Sequence, residues 1–180
     1  LEAFWAICMA SGYWPTSWEP VVLETGDKAW RPILEEVDWI YTPAAVWVSS
    51  LSRDVQITAR GIQDAILAMI PYEWIEDIHW WNRKYVLSIT LKNGSEIQFK
   101  TSEAGADKYQ SATLNALALD ELHPSDIWEE ATSRVGGNPL RIFYAYFPRN
   151  GMDWTYKKFF RVGADPGPAT VVDNMSFLDN

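Results

Sequence analysis

Hydrophobic residues recur along the first part of the chain in patterns that predict two helices and a strand. Residues 1–12, LEAFWAICMASG, are apolar around most of a helix, and Gly12 suits a C-cap. Residues 44–50, AAVWVSS, form a short apolar run that is typical of a buried strand. Residues 52–71 then carry apolar side chains at helical spacing, and Ser52 stands where an N-cap is expected.

The segment between the first helix and the first strand shows no such pattern. Residues 13–43 contain four prolines. Proline removes a backbone donor and interrupts both helices and central strands. We therefore predict a long irregular connection over this segment rather than a regular element.

The middle of the chain carries a strong hairpin signal. Residues 85–92, YVLSITLK, and residues 95–101, SEIQFKT, are joined by Asn93-Gly94. An Asn-Gly pair between alternating apolar runs favours the tight turn of an antiparallel hairpin. Together with the preceding strand-like segment 73–81, this predicts an antiparallel insertion over about residues 73–101.

The last part of the chain alternates strand-like and helix-like segments. Residues 113–119, TLNALAL, lack polar alternation, which predicts a strand covered on both faces, as in a parallel sheet. Further elements are expected in this order: a helix over 124–135, a strand over 139–147, a helix over 152–160 and a strand over 168–174. Strands that alternate with helices predict an α/β domain with a mainly parallel sheet flanked by helices.

Two adjacent carboxylates, Asp120 and Glu121, directly follow the apolar strand 113–119. Ligands of open parallel sheets bind at the carboxyl ends of the strands. A P-loop nucleotide hydrolase needs two acids there, one to hold Mg²⁺ and one to orient and deprotonate the attacking water. The alternative is a solvated strand end that leads into a helix.

A turn after the next predicted strand would lie beside this acidic pair. Residues 148–151, PRNG, follow strand 139–147, and a Pro-x-x-Gly turn at the end of a neighbouring parallel strand can sense a bound phosphate. An ordinary surface turn is the alternative. Other catalytic constellations are weaker, since His79 and His123 have no partner for a catalytic triad that is visible in the sequence.

Composition narrows the class of protein. A length of 180 residues suits one domain, and a net charge of −9 disfavours general coating of nucleic acid. One cysteine excludes an internal disulfide framework. No apolar run reaches the length of roughly 18 residues that a membrane helix requires. Eleven tryptophans indicate a thick core, a sugar-binding face or a protein interface.

Five segments in order resemble the ATPase domain of the large terminase subunit of tailed bacteriophages, the enzyme that packages DNA into the capsid. They are distributed along nearly the whole chain, from residue 1 to residue 180: LEAFWAICMASGYWPTSW, VWVSSLSRDVQITARGIQDAILAMIP, IQFKTSEAGADKYQSATLNALALDEL, RIFYAYFPRNGMDWTYKKFF and ATVVDNMSFLDN. The resemblance implies a P-loop NTPase-like fold of the ASCE type, with residues 1–180 as a single, partial ATPase domain.

The resemblance also implies roles for individual residues. Asp120 would be the Mg²⁺ ligand and Glu121 the catalytic base. Lys108 could contact the phosphates of a neighbouring subunit, with a solvated loop charge as the alternative. The coupling turn is implied at the following residues: Pro148, Asn150 and Gly151.

The resemblance further implies ATP and Mg²⁺ as ligands of the intact protein. The implied partners are double-stranded DNA, the portal protein, the small terminase subunit and further copies of the chain in a ring. The implied location is the cytoplasm of an infected bacterial host, or of a host that carries the gene in a prophage. No membrane partner is expected.

Three departures from the family pattern limit these expectations. The phosphate-binding signature G-x-x-x-x-G-K-[ST] does not occur, and the chain begins at Leu1 rather than Met. We therefore expect a fragment that binds little ATP by itself. Ala145 and Phe147 stand where the family usually has Thr before the Pro of the coupling motif. The nuclease domain of the family is also expected to lie beyond Asn180. The alternative function is a non-catalytic binding or interaction module with an aromatic-rich surface.

Overall fold

The computed structural model describes residues 2–57, 61–136, 141–146 and 153–160. Its helices and strands are, in chain order, α1 (Glu2–Ser11), β1 (Tyr13–Val22), β2 (Lys28–Glu36), β3 (Ala45–Ser50), α2 (Arg53–Ile57), α3 (Ile62–Met69), β4 (Ile75–Trp81), β5 (Tyr85–Leu91), β6 (Glu96–Thr101), β7 (Ala116–Asp120), α4 (Ser125–Ser133), β8 (Ile142–Ala145) and a π-helical segment (Tyr156–Phe160). Short 3₁₀ turns occur at Tyr72–Trp74, Ser102–Ala104 and Ala106–Tyr109.

Six strands form one sheet in the order β4-β5-β6-β3-β7-β8. Strand β3 runs parallel to both β6 and β7, and β7 runs parallel to β8. The pairs β4 with β5 and β5 with β6 are antiparallel. The chain is therefore α/β, with a mixed sheet whose central strands are parallel, and this confirms the predicted class.

The predicted hairpin forms at Asn93-Gly94. Gly94 adopts a φ of +84°, which glycine tolerates without a steric penalty, and its N–H donates to the carbonyl of Leu91 at 2.8 Å. The Asn93 side-chain oxygen accepts a bond from the Ser95 N–H at 2.9 Å. The hairpin extends the main sheet, because β6 pairs with β3 as well as with β5.

Strand β7 lies between two hydrophobic layers, as its unbroken apolar pattern predicts. Ala116 and Ala118 belong to the cluster that α1 and α3 cover, and their small side chains let α1 approach the sheet. Leu117 and Leu119 belong to the cluster that α4 covers on the opposite face. All four side chains have no exposed surface. By the same alternation, a polar residue that ends this strand lies on the α1 face, at the edge of the core.

The prediction of an irregular connection over residues 13–43 is wrong. Strands β1 and β2 form a separate antiparallel sheet within it, with Trp18 opposite Pro32 and Pro20 opposite Trp30. Each strand of a two-stranded sheet has one free edge. Proline is tolerated there because a missing N–H need not face a partner.

The prediction of one helix over residues 52–71 is also wrong, because two helices, α2 and α3, share this segment. A Cβ at Gly61 would lie 2.3 Å from the carbonyl oxygen of Gln56, so only glycine permits this approach of the chain to the end of α2. The predicted N-cap is confirmed, since the Val55 N–H donates to the Ser52 hydroxyl at 3.2 Å. The predicted strand 168–174 lies outside the described residues.

Candidate functional site

The parallel strands β3, β7 and β8 end on the same side of the sheet, at Ser50, Asp120 and Ala145. We call these three strand ends the carboxyl edge. Asp120 pairs in register with Ala145, and β7 has a parallel neighbour on each side. The expected position of Asp120, at the end of a central parallel strand, is therefore confirmed.

The amino end of α1 meets the carboxyl edge through Glu2. One carboxyl oxygen of Glu2 accepts a bond from the Ala145 N–H at 3.2 Å. The Glu2 carboxyl also lies within hydrogen-bond contact of the Asp120 carboxyl. Glu2 therefore joins the first turn of α1 to the ends of both β7 and β8.

Burial and the neighbouring charge decide which of these two carboxyl groups holds a proton. Burial, with a further contribution from Asp120, raises the pKa of Glu2 from 4.5 to about 9. Burial also raises the pKa of Asp120, whereas the hydrogen bond from Glu2 lowers it. At neutral pH Glu2 is therefore the protonated donor, and the Asp120 carboxylate accepts its proton in a hydrogen bond.

Ser50 adds a third oxygen to the carboxyl edge. Its side chain has no exposed surface, and its hydroxyl has no hydrogen-bond partner among the described residues. Buried polar groups are nearly always hydrogen-bonded, so this hydroxyl is an exception that calls for an explanation.

Glu121 follows β7 in the left-handed region, with a φ of +70°. For a residue with a Cβ this conformation costs about 1–2 kcal/mol. Backbone hydrogen bonds hold it in place: the Glu121 N–H donates to the Ala145 carbonyl at 2.9 Å, and the Glu121 carbonyl accepts from Nδ1 of His123 at 2.9 Å. Backbone strain of this kind clusters at functional sites.

His123 belongs to a buried hydrogen-bonded chain that sequence analysis missed. Its Nδ1 donates to a carbonyl, so its Nε2 accepts from the Ser49 hydroxyl at 2.9 Å, and Ser49 in turn accepts from Tyr109. Burial lowers the pKa of His123, which favours this neutral form. All three side chains have no exposed surface, so the Ser–His pair is not an accessible nucleophile.

The indole of Trp154 and the phenol of Tyr144 also form hydrogen bonds with the backbone of His123. The Trp154 indole N–H donates to the His123 carbonyl at 2.9 Å, and the His123 N–H donates to the Tyr144 hydroxyl at 3.3 Å. Burial raises the pKa of Tyr144. The backbone around Glu121 is therefore fixed from several directions by neutral hydrogen bonds.

The other predicted site residues lie away from these contacts. Lys108 is exposed on the 3₁₀ turn Ala106–Tyr109, and its charge acts on Lys100, whose pKa is lowered above all by burial. An exposed position leaves Lys108 accessible to a neighbouring molecule. The proposed coupling residues lie outside the described residues: Pro148, Asn150 and Gly151.

Glu2 and Ser50 were not predicted as site residues. An acid in the first turn of a helix is ordinary, because it complements the helix dipole. The signal for Ser50 was the pair of serines, Ser49-Ser50, that ends an otherwise apolar strand. Neither signal reveals where the two residues lie. The position of Glu2 depends on how α1 packs on the sheet, and that of Ser50 depends on the register of β3 and β7.

The described residues provide neither a ready-made cluster of metal ligands nor a membrane-spanning helix. In these parts of the chain, no group of three or more His, Cys, Asp or Glu side chains is arranged to hold a metal ion. No helix in the same parts is long and apolar enough to cross a membrane.

Comparison with known proteins finds no matching family model and no matching curated protein.

Proposed function

We propose that this chain is part of the ATP-hydrolysing motor of a large terminase subunit, which moves viral DNA into a phage capsid. The observation that carries the proposal is the carboxyl edge, where the acids that end a central parallel strand meet the amino end of α1. A P-loop NTPase-like fold of the ASCE type brings these features together around a nucleotide. The sequence resemblance in five ordered segments supports the same function.

Asp120 is the proposed Mg²⁺ ligand. The Glu2 carboxyl lies near it, and the strand register places Ser50 beside it on the neighbouring strand β3. Oxygen donors of this kind suit Mg²⁺. The residues present therefore fit the ion. When bound, Mg²⁺ neutralises charge on the phosphates of the nucleotide.

Glu121 is the proposed base that orients and deprotonates the attacking water. Its backbone is fixed by bonds to Ala145 and His123, so its side chain starts from a defined position. A catalytic group must be held to within a fraction of an ångström, which a solvated strand end would not provide. Lys108 is exposed and is the proposed residue that acts on a neighbouring subunit.

The wider assembly follows from the same proposal. Double-stranded DNA, the portal protein, the small terminase subunit and a ring of identical chains are the proposed partners. The proposed location is the bacterial cytoplasm during infection, or in a host that carries a prophage.

ATP hydrolysis tests the proposal most directly. The 180-residue chain is compared with a version that has a strand and a phosphate-binding loop placed before Leu1. We expect Mg²⁺-dependent hydrolysis in the extended version only. In that version Glu121→Gln should lower the rate of ATP hydrolysis by about 10³-fold or more, because the base acts in the transition state.

Glu129→Gln is the matched control, since Glu129 is an exposed acid on α4. It should hydrolyse ATP at the rate of the extended parent. Hydrolysis that survives Glu121→Gln would remove Glu121 from its proposed role. An extended version that folds but shows no hydrolysis would overturn the proposal for the chain.

A second candidate function is a non-catalytic interaction module. Its support is the β1–β2 sheet, where Trp18 is 54% exposed and Trp30 is 68% exposed. Exposed aromatic rings of this size favour a binding surface. This function would be favoured if the extended chain stayed inactive while Trp30→Ala abolished retention of the chain by a purified partner protein.

A further inference from the structure

Strand β4 is the outer strand of the six-stranded sheet, and its outer side pairs with no strand among the described residues. We call this outer side the β4 edge. The unpaired backbone N–H and C=O groups of such an edge can pair with another strand. Glu76 is an extra residue on β4 relative to β5, so the regular stretch that is free to pair runs from Asp77 to Trp81. This stretch has an ordinary length for a β-strand.

The β4 edge carries opposite charges at its two ends. Exposed acids stand at and before the start of the strand, and exposed bases stand in the turn that follows it. The acids are Glu73, Glu76 and Asp77, and the bases are Arg83 and Lys84. Arg53 of α2 adds a further base at the second end, because its Cζ lies 3.9 Å from the centre of the Trp81 ring. The edge is thus acidic at one end and basic at the other.

Two exposed indole rings lie between these charged ends. Trp80 is 44% exposed and Trp81 is 42% exposed. The Trp81 ring contacts the Arg53 guanidinium and the Tyr85 ring, whose centre lies 5.6 Å away. The Tyr85 hydroxyl in turn donates to Asp54 at 3.0 Å. An aromatic surface that is already held in place loses little side-chain freedom when a partner binds.

The charges of the β4 edge are complementary to those of a second copy of the same edge. Charged residues on an edge strand normally prevent association, because like charges on adjacent strands repel. When β4 meets its own copy in antiparallel order, however, the acidic end of each copy lies beside the basic end of the other. The indole rings then lie near the middle of the paired strands, where they lose exposed apolar surface.

We propose that two copies of this chain associate by antiparallel pairing of β4 with β4, which joins their six-stranded sheets into one. Such a pair has two-fold symmetry, so each contact occurs twice. It differs from the ring of the proposed function, in which one surface of each copy contacts a different surface of the next. The inference therefore goes beyond the proposed function and does not depend on it.

A strand of nucleic acid explains less of the β4 edge. Its bases could stack on the indole rings, and its phosphates could contact the basic turn. The acids at the start of β4 would repel the same phosphates, and a nucleic acid cannot continue the backbone ladder of a sheet. A second copy of β4 satisfies the backbone groups and both charged ends.

Sedimentation of the purified chain tests the inference, and two variants each reverse one end of the edge. We expect a dimer with a dissociation constant on the order of 10⁻⁵ M, as for a small interface. The acid-reversed variant carries Glu76→Lys and Asp77→Lys, and the base-reversed variant carries Arg83→Glu and Lys84→Glu. Either variant alone brings like charges together at both ends of the pair, so self-association should weaken by about tenfold or more.

A mixture of the two variants is the decisive sample. In a mixed pair the introduced lysines lie beside the introduced glutamates, and the unchanged bases lie beside the unchanged acids. Association should therefore return to nearly the strength of the parent. The matched control carries Glu35→Lys and Glu36→Lys, which make the same change in net charge at two adjacent exposed acids of β2. It should self-associate like the parent.

Hydrogen exchange of the parent gives a second measurement that needs no variant to fold. The amides of Asp77–Trp81 should exchange about fivefold or more slowly in the dimer than in dilute monomer. Equal exchange, or a parent that stays monomeric about tenfold above the expected dissociation constant, would overturn the inference. So would a dimer that both reversed variants retain, or one that their mixture does not restore. None of these measurements depends on ATP hydrolysis by the extended chain, so the inference and the proposed function can fail separately.

Discussion

The carboxyl edge and the β1–β2 sheet depart from ordinary burial in opposite directions. At the carboxyl edge, acidic and hydroxyl groups such as Glu2 and Ser50 are buried. In the β1–β2 sheet, large apolar rings such as those of Trp18 and Trp30 are exposed. Both arrangements cost stability when nothing binds to them, because buried polar groups need partners and exposed apolar groups favour burial.

The two regions differ in how firmly the rest of the fold holds them. The carboxyl edge is fixed by three parallel strands, by α1 and by the hydrogen bonds around His123. The β1–β2 sheet has two strands only, and it is joined to the rest of the fold by contacts of β1 such as those of Trp14 and Trp18. A two-stranded sheet by itself is marginally stable. Rigid positioning suits chemistry at the carboxyl edge, whereas the exposed rings suit contact with another surface.

The largest expected effect on stability comes from a tryptophan near the carboxyl edge. Trp47 on β3 is 4% exposed, its ring meets that of Tyr109 edge to face, and its indole N–H donates to Gln98 at 3.0 Å. Trp47→Ala should lower the free energy of unfolding by about 3–5 kcal/mol, because it leaves a large cavity. Urea denaturation measures this, and a loss below about 1 kcal/mol would contradict the packing described for β3.

The second effect concerns the chain of hydrogen bonds behind Glu121. His123→Ala leaves the buried hydroxyl of Ser49 and the carbonyl of Glu121 with fewer partners, so we expect a loss of about 1–3 kcal/mol. Hydrogen exchange at the Glu121 amide should also become faster. His79→Ala is the matched control, since His79 is exposed and should change the unfolding free energy little.

The third effect is a pH dependence that belongs to Glu2. The folded chain keeps the Glu2 proton up to a pKa of about 9, whereas the unfolded chain loses it near 4.5. Stability from this group is therefore complete below 4.5 and falls as pH rises towards 9, by at most about 1.4 kcal/mol for each pH unit.

Glu2→Gln isolates this dependence, since it removes the titrating group while its amide can still donate to Asp120. The unfolding free energy of the parent, taken relative to that of the variant, should fall as the pH rises from roughly 6 to 8.5. A difference that stays constant over this range would mean that Glu2 is ionised in the folded chain.

Local sequence patterns are sufficient to predict strand β7 and the antiparallel hairpin of the main sheet. The apolar run before Asp120 predicted a strand buried on both faces, and Asn93-Gly94 predicted the hairpin. The prediction of an irregular connection over 13–43 fails because proline is tolerated where each strand has only one partner. The break before α3 depends on the approach of Gly61 to Gln56, which no periodic pattern reveals.

In the candidate site too, some residues follow from a local sequence pattern and others do not. Asp120 and Glu121 could be predicted, since adjacent acids after an apolar strand are a local signal. Glu2, Ser50 and His123 could not, because their contacts join elements that are far apart in sequence. Tertiary packing alone decides that a helix acid, a strand hydroxyl and a loop histidine surround the same strand end.

The smallest expected effect on stability comes from the exposed tryptophan of the β1–β2 sheet. Trp30 is 68% exposed and lies opposite Pro20, so Trp30→Ala removes little buried area and should change the unfolding free energy by less than about 0.5 kcal/mol. The matched comparison is Trp47→Ala, which deletes the same side chain from a buried position. If Trp30→Ala instead cost as much as Trp47→Ala, the ring would be buried in solution, most simply against a second copy of the chain. Sedimentation of the parent and of Trp30→Ala would then show whether an oligomer is lost, and the contrast between a rigid edge and an open binding surface would no longer hold.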